Sequence, residues 1–149
     1  MKITMIRYYG DCKVTKSLVT VEMNGEVMRC EAREPEFVDY EEPFKGSSRV
    51  CLPAGMLVGR LRATETCAMS LCIGRIATST KTVVGYDEER CARCGFVMIG
   101  MADEGVPPEE RVLHSERETF ERFTDLMYRA WSNGERIDIE IINRVSGIN

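Results

Sequence analysis

Seven cysteines and a single histidine are the side chains of this 149-residue chain with the most chemistry in them. The tightest grouping is Cys91-Ala92-Arg93-Cys94-Gly95. Two thiolates three residues apart, followed by glycine, form the knuckle used by zinc ribbons, because the glycine lets backbone N–H groups turn toward sulfur. A tetrahedral site needs two further ligands, and Cys67 and Cys72 are the candidates. They lie around a predicted strand at a spacing that puts them on opposite faces, with no Gly or Pro between them to bend the chain. Cys72 alone can reach the knuckle from a neighbouring strand, which leaves the site one ligand short unless His114 joins. The spacing therefore favours free thiols at Cys72, Cys91 and Cys94 over a metal site, and no cofactor is expected.

A cysteine can also act as a nucleophile, and then it needs a base. His114 is the one imidazole, so Cys94 or Cys91 with His114 is the catalytic pair the sequence offers if the loop between them folds back. A lone histidine beside a helix cap is more often a solvated loop residue. No helix starts after Cys91, so no helix N-terminus lowers its pKa for redox work. The segment from Glu34 to Ser48 is acidic and carries two prolines. It reads as a solvated loop, and its functional reading is a cation or basic-partner site with Glu34 as the candidate binding residue. There is no phosphate-binding glycine loop and no serine elbow.

The elements that position these groups are mostly strands. Lys2 to Tyr8 reads as the first. Leu18 to Met23 and Glu26 to Ala32 flank Asn24-Gly25, a pair suited to a type I′ hairpin turn because both positions need positive φ. Met56 to Arg62, Met69 to Ile76 and Phe96 to Met101 read as further strands, with Ala77 to Arg90 as a polar connection. Asp103 to His114 holds Gly105 and Pro107-Pro108 and reads as a surface loop. Ser115 with Glu118 has capping-box spacing. Phe120, Phe123, Met127, Ala130 and Trp131 then recur as one apolar helix face, which reads as core. Asn133-Gly134 stops the helix, and Ile137, Ile139 and Ile141 alternate with acids in a half-buried strand.

Composition sets the outer limits. The length suits one domain, residues 1–149, and 44% hydrophobic residues supply a core without disulfides. A net charge of −4 argues against nucleic acid, which would select a basic stripe. No apolar run is long enough for a membrane span, and the N-terminus carries no signal-peptide pattern. Reduced thiols in a cytoplasm are the default, with a virion or phage-associated location as the alternative.

End to end, the chain resembles a family of small β-rich proteins of unknown function found in Bacteroidetes and their phages. Cys30-Glu31-Ala32-Arg33-Glu34 matches a C-x-T-L-E-like segment, and Leu52-Pro53-Ala54-Gly55-Met56 an I-P-A-G-x-Y-like turn. Ile76-Ala77-Thr78-Ser79-Thr80 is similar to an I-H-x-G-N-like segment. Gly95-Phe96-Val97-Met98-Ile99-Gly100 is similar to a G-C-I-x-x-G-like strand. Val112, Ser115 and Phe120 follow a V-x-x-S-x-x-x-x-F-like pattern, and Gly134-Glu135-Arg136-Ile137-Asp138-Ile139 a G-E-x-I-x-I-like strand. The family's histidine followed by Gly-Cys has motif-level similarity to L,D-transpeptidases, the cysteine enzymes of peptidoglycan cross-linking. Ala77 and Phe96 stand where that histidine and cysteine would be. Alanine cannot be a base and phenylalanine cannot be a nucleophile, so the resemblance implies a scaffold without family-type Cys–His chemistry.

Together these readings predict an α+β domain: a mostly antiparallel, partly closed sheet or barrel with one C-terminal amphipathic helix. The expected role is non-catalytic binding or assembly in a phage or mobile-element setting, with a protein or a cell-wall component as partner. The alternatives are a cysteine-dependent peptidoglycan-acting enzyme and a zinc-stabilised structural module.

Overall fold

A computed structural model of the chain describes residues 1–38, 51–62, 70–74, 82–85 and 96–145. Eight strands close into a barrel: β1 (Lys2–Gly10), β2 (Thr15–Met23), β3 (Glu26–Glu34), β4 (Gly55–Arg62), β5 (Ser70–Gly74), β6 (Thr82–Gly85), β7 (Phe96–Gly100) and β8 (Ile137–Asn143). Their order around the wall is β1-β2-β3-β7-β6-β5-β4-β8. Most neighbours are antiparallel. The exceptions are β6 with β7 and the closing seam of β1 with β8, both parallel. The one α-helix among the described residues, α1 (Glu116–Ser132), lies between β7 and β8 in the chain. The predicted α+β class and mostly antiparallel sheet are thus observed, and the closure is complete.

The β2–β3 hairpin forms as the sequence dictates. Asn24 and Gly25 take φ of 48° and 85°, the left-handed pair that a type I′ turn requires. Period-two alternation then aims one face of each strand inward. Ile3 and Met5, Val19, Val21 and Met23, Met28 and Cys30, and Ile137, Ile139 and Ile141 are all buried in one cluster. Gly59 on β4 sits where a Cβ would lie 2.7 Å from Leu71 Cδ1 and 2.9 Å from Ile137 Cγ2, so the wall approaches the core closely there.

The short strand β6 was not expected within the polar connection of residues 77–90. Four residues with one apolar pair give too short a pattern for periodicity to register. It is held by backbone pairing to β5 and β7.

The helix departs from expectation at two points. Ser115 is the N-cap, but its side chain makes no cap bond and its backbone is left-handed, with φ 52° and ψ 35°. The capping box with Glu118 does not form. The buried face is Thr119, Phe123, Leu126, Met127 and Ala130, with Phe120 only partly buried and Trp131 58% exposed. At about 100° per residue, Trp131 lies roughly 90° from the centre of that stripe, outside the arc the barrel covers. The helix stops as expected. Gly134 is left-handed at φ 71°, Glu135 N–H donates to Ala130 O and Gly134 N–H to Trp131 O, a Schellman closure.

Candidate functional site

The interior is apolar along most of its length and polar at one end. There β1 finishes beside the start of β2 and the end of β3, which stacks Arg7, Thr15, Ser17 and Glu34 in neighbouring register positions. All four are buried. Arg7 Nη2 donates to Glu34 Oε1 at 2.7 Å and Nε to Oε2 at 2.9 Å, a bidentate pair. Nη2 also donates to the Leu52 carbonyl, Nη1 to Asn143 Oδ1, and Leu52 N–H donates back to Glu34. Glu34 is therefore not presented to solvent. It anchors an arginine inside the barrel and ties Leu52, beside the Pro-Ala-Gly turn, to the wall. Cys51 lies nearby, within hydrogen-bond reach of Val38, and burial pushes its thiol pKa up.

A second polar cluster lies on the outer wall. Lys16 points away from Thr15 and Ser17 and is covered by the 101–115 loop. Its ammonium donates to the carbonyls of Pro108 (2.8 Å), Glu109 (3.1 Å) and Arg111 (2.8 Å) around a 3-10 turn at Pro108–Glu110. It also lies over the Tyr9 ring. Burial lowers the Lys16 pKa, with Arg33 adding to the effect. Tyr8 donates to Glu31, and Arg111 stacks on the Tyr8 ring. Burial first, then the hydrogen bond to Glu31, raises the Tyr8 pKa to about 12. Three donors meeting three carbonyls make Lys16 a staple for the loop rather than a free base.

His114 sits where that loop returns to the barrel. It bridges Met101 through paired backbone bonds. Its Nε2 lies 3.4 Å from Asp103 Oδ1 and its Nδ1 3.1 Å from Ser115 Oγ. The composition is that of a Ser-His-Asp set, but the geometry is not. The imidazole is half exposed and Asp103 more so, so water screens the pair. Glu116 and Glu118 in the first turn would repel a developing oxyanion. His114 instead joins the loop to the helix start. Cys91 and Cys94 lie outside the described residues. Cys72 is on β5, its backbone opposite Arg60 and Val83. Among the described residues no group of three or more His, Cys, Asp or Glu side chains is placed to hold a metal. Among them, too, no helix is long and apolar enough to cross a membrane.

One cleft among the described residues was not singled out by sequence. The Schellman stop turns the chain so that Trp131, Glu135 and Arg136 lie beside the end of β4. With Val58, Gly59, Arg60, Leu61 and Ile137 they line an open cleft of about 450 Å³. That volume falls in the ~300–1,000 Å³ range of small-molecule sites. Its charges are largely matched. Arg136 Nε is 2.7 Å from Asp138, and Glu135 Oε1 is 3.7 Å from the Met1 amine, which also donates to the Arg136 carbonyl. Arg60 is exposed and has no carboxylate partner among the described residues. No described cation stacks on the Trp131 ring. The sequence signal was present but faint: Trp131 sits at the edge of the helical apolar arc, and Arg60 on the outward phase of a strand.

No family model, curated protein or solved structure matches the chain.

Proposed function

We propose that the protein is a non-catalytic binding or assembly protein whose ligand or partner enters the cleft at the C-terminal end of α1. The observation that carries this reading is Trp131, which stands 58% exposed at the rim of that cleft. Large exposed aromatics beside a concavity supply binding area at low entropic cost. The surroundings of Glu34 and His114 favour binding over turnover. Glu34 is committed to Arg7 and His114 is solvated. The resemblance to a β-rich family of Bacteroidetes and their phages, with Ala77 and Phe96 at the family's histidine and cysteine positions, supports the same direction, and it motivates a mobile-element setting and a cell-wall or protein partner.

The test pairs a catalytic assay with a binding one. The purified protein should turn over neither muropeptides nor simple esters. Whatever partner it retains should be lost on Trp131→Ala with folding unchanged. Turnover that disappears on Cys94→Ala, Cys91→Ala or His114→Ala would establish the cysteine-enzyme alternative. Retention of the partner by Trp131→Ala would place binding elsewhere.

A further inference from the structure

We infer that the cleft between β4 and the end of α1 takes a carboxylate-bearing sugar, with Trp131 against the ring face and Arg60 on the carboxylate. The inference rests on the binding reading above and specifies its ligand class.

Three observations carry it. The first is the charge pattern. Glu135 and Arg136 lie beside countercharges, so Arg60 is the unmatched charge among the described lining residues. One free guanidinium suits a monoanion, and its planar fork fits a carboxylate in bidentate fashion. A phosphate monoester, with nearly two charges, would leave charge unmet. A nucleic-acid strand would need a row of cations that the site lacks. The second is the exposed indole, which offers a flat apolar surface that no described protein cation covers. A sugar ring presents a face of C–H groups to such a surface while its hydroxyls stay hydrated. The third is the openness of the site. A purely aromatic acid would gain most from enclosure between two apolar walls, whereas this cleft is open to solvent and counts Glu135 and Arg136 among its lining. An open, partly polar cleft of that kind suits a hydrated ring in an oligosaccharide.

Trp131 is the one tryptophan of the chain, so its emission reports on this cleft alone. The experiment titrates the full chain with a galacturonate trimer, a neutral galactose trimer and benzoate. Trp131 emission and calorimetric heat are followed together. The galacturonate trimer should shift the emission saturably and bind at least tenfold tighter than the neutral trimer. Arg60→Gln should reduce it to the neutral level, and added salt should weaken it, as for a solvent-exposed charge pair. Equal binding of the acidic and neutral trimers, or an acidic-trimer affinity unchanged in Arg60→Gln, overturns the inference. A saturable emission shift with benzoate alone keeps the cleft as a binding site and removes the sugar. No response to any of the three removes the acidic-sugar class. Calorimetric binding with silent emission, unaltered in Trp131→Ala, contradicts the cleft itself.

Discussion

Arg7 shows how a single residue can decide the character of a barrel interior. Its guanidinium is fully buried, and its carboxylate partner is held by a second donor from the Leu52 backbone. Removing one member of such a pair strands the other without water. Arg7→Met should therefore cost about 3–5 kcal/mol in urea unfolding, while Arg7→Met with Glu34→Leu should recover much of the loss. A double variant as unstable as the single would mean that hydrogen bonding to Leu52 and Asn143, rather than charge pairing, dominates. The thiols and the Tyr8 phenol give a second residue-level prediction. Burial raises Cys30 from 9.0 to about 12, and Tyr8 rises from 10.0 to about 12. The unfolded chain therefore sheds these protons at lower pH than the folded one. Their stabilising contribution is complete below the ordinary values and is lost as pH climbs toward about 12. Unfolding free energy should fall across that window, and Cys30→Val with Tyr8→Phe should flatten the fall. In native protein near neutral pH, a thiol reagent should modify exposed Cys12 and spare Cys30 and Cys51.

At the scale of elements, the helix separates what the sequence made legible from what it did not. Spacing alone located α1, its stop and the burial of Phe123, because an amphipathic stripe and an Asn-Gly terminator are local signals. It misassigned Trp131, because a hydrophobic residue at the edge of the arc can face either way and only the barrel's width decides. Phe123→Ala should cost about 3–5 kcal/mol. Trp131→Ala should cost less than about 1 kcal/mol, as changes at exposed positions do. Thermal or urea unfolding of the two variants checks both, and equal losses would show that the two side chains share one environment. The N-cap carries a related prediction. Ser115 pays a left-handed strain of about 1–2 kcal/mol with no cap bond in return. Glycine relieves that strain and costs about 0.5–1 kcal/mol of chain entropy. Ser115→Gly should thus raise stability by about 0.5–1 kcal/mol. A loss of similar size would show that the contact from Ser115 Oγ to His114 is the stronger effect.

For the whole molecule, the fold class was readable and the site was not. Strand alternation, the Asn-Gly turn and the closing Ile137–Ile141 pattern are periodic, so they announced a mostly antiparallel sheet with one helix. The parallel β1–β8 seam that closes the barrel joins the two ends of the described chain, and no local pattern encodes such a pairing. The cleft has the same origin. Arg60 and Trp131 are far apart in sequence and meet only because β4 pairs with β8 immediately after the helix stop. The most reactive residue types stand elsewhere, at Cys91, Cys94 and His114, and at Glu34. Of these, the described structure commits Glu34 to the interior and His114 to a loop joint. The account's central claim is that this barrel binds through the β4–α1 end. The most direct measurement is amide hydrogen exchange on the protein with and without a saturating ligand. The account predicts new protection at residues 58–61 and 131–137. Protection confined to residues 101–115, around His114 and Asp103, would contradict it.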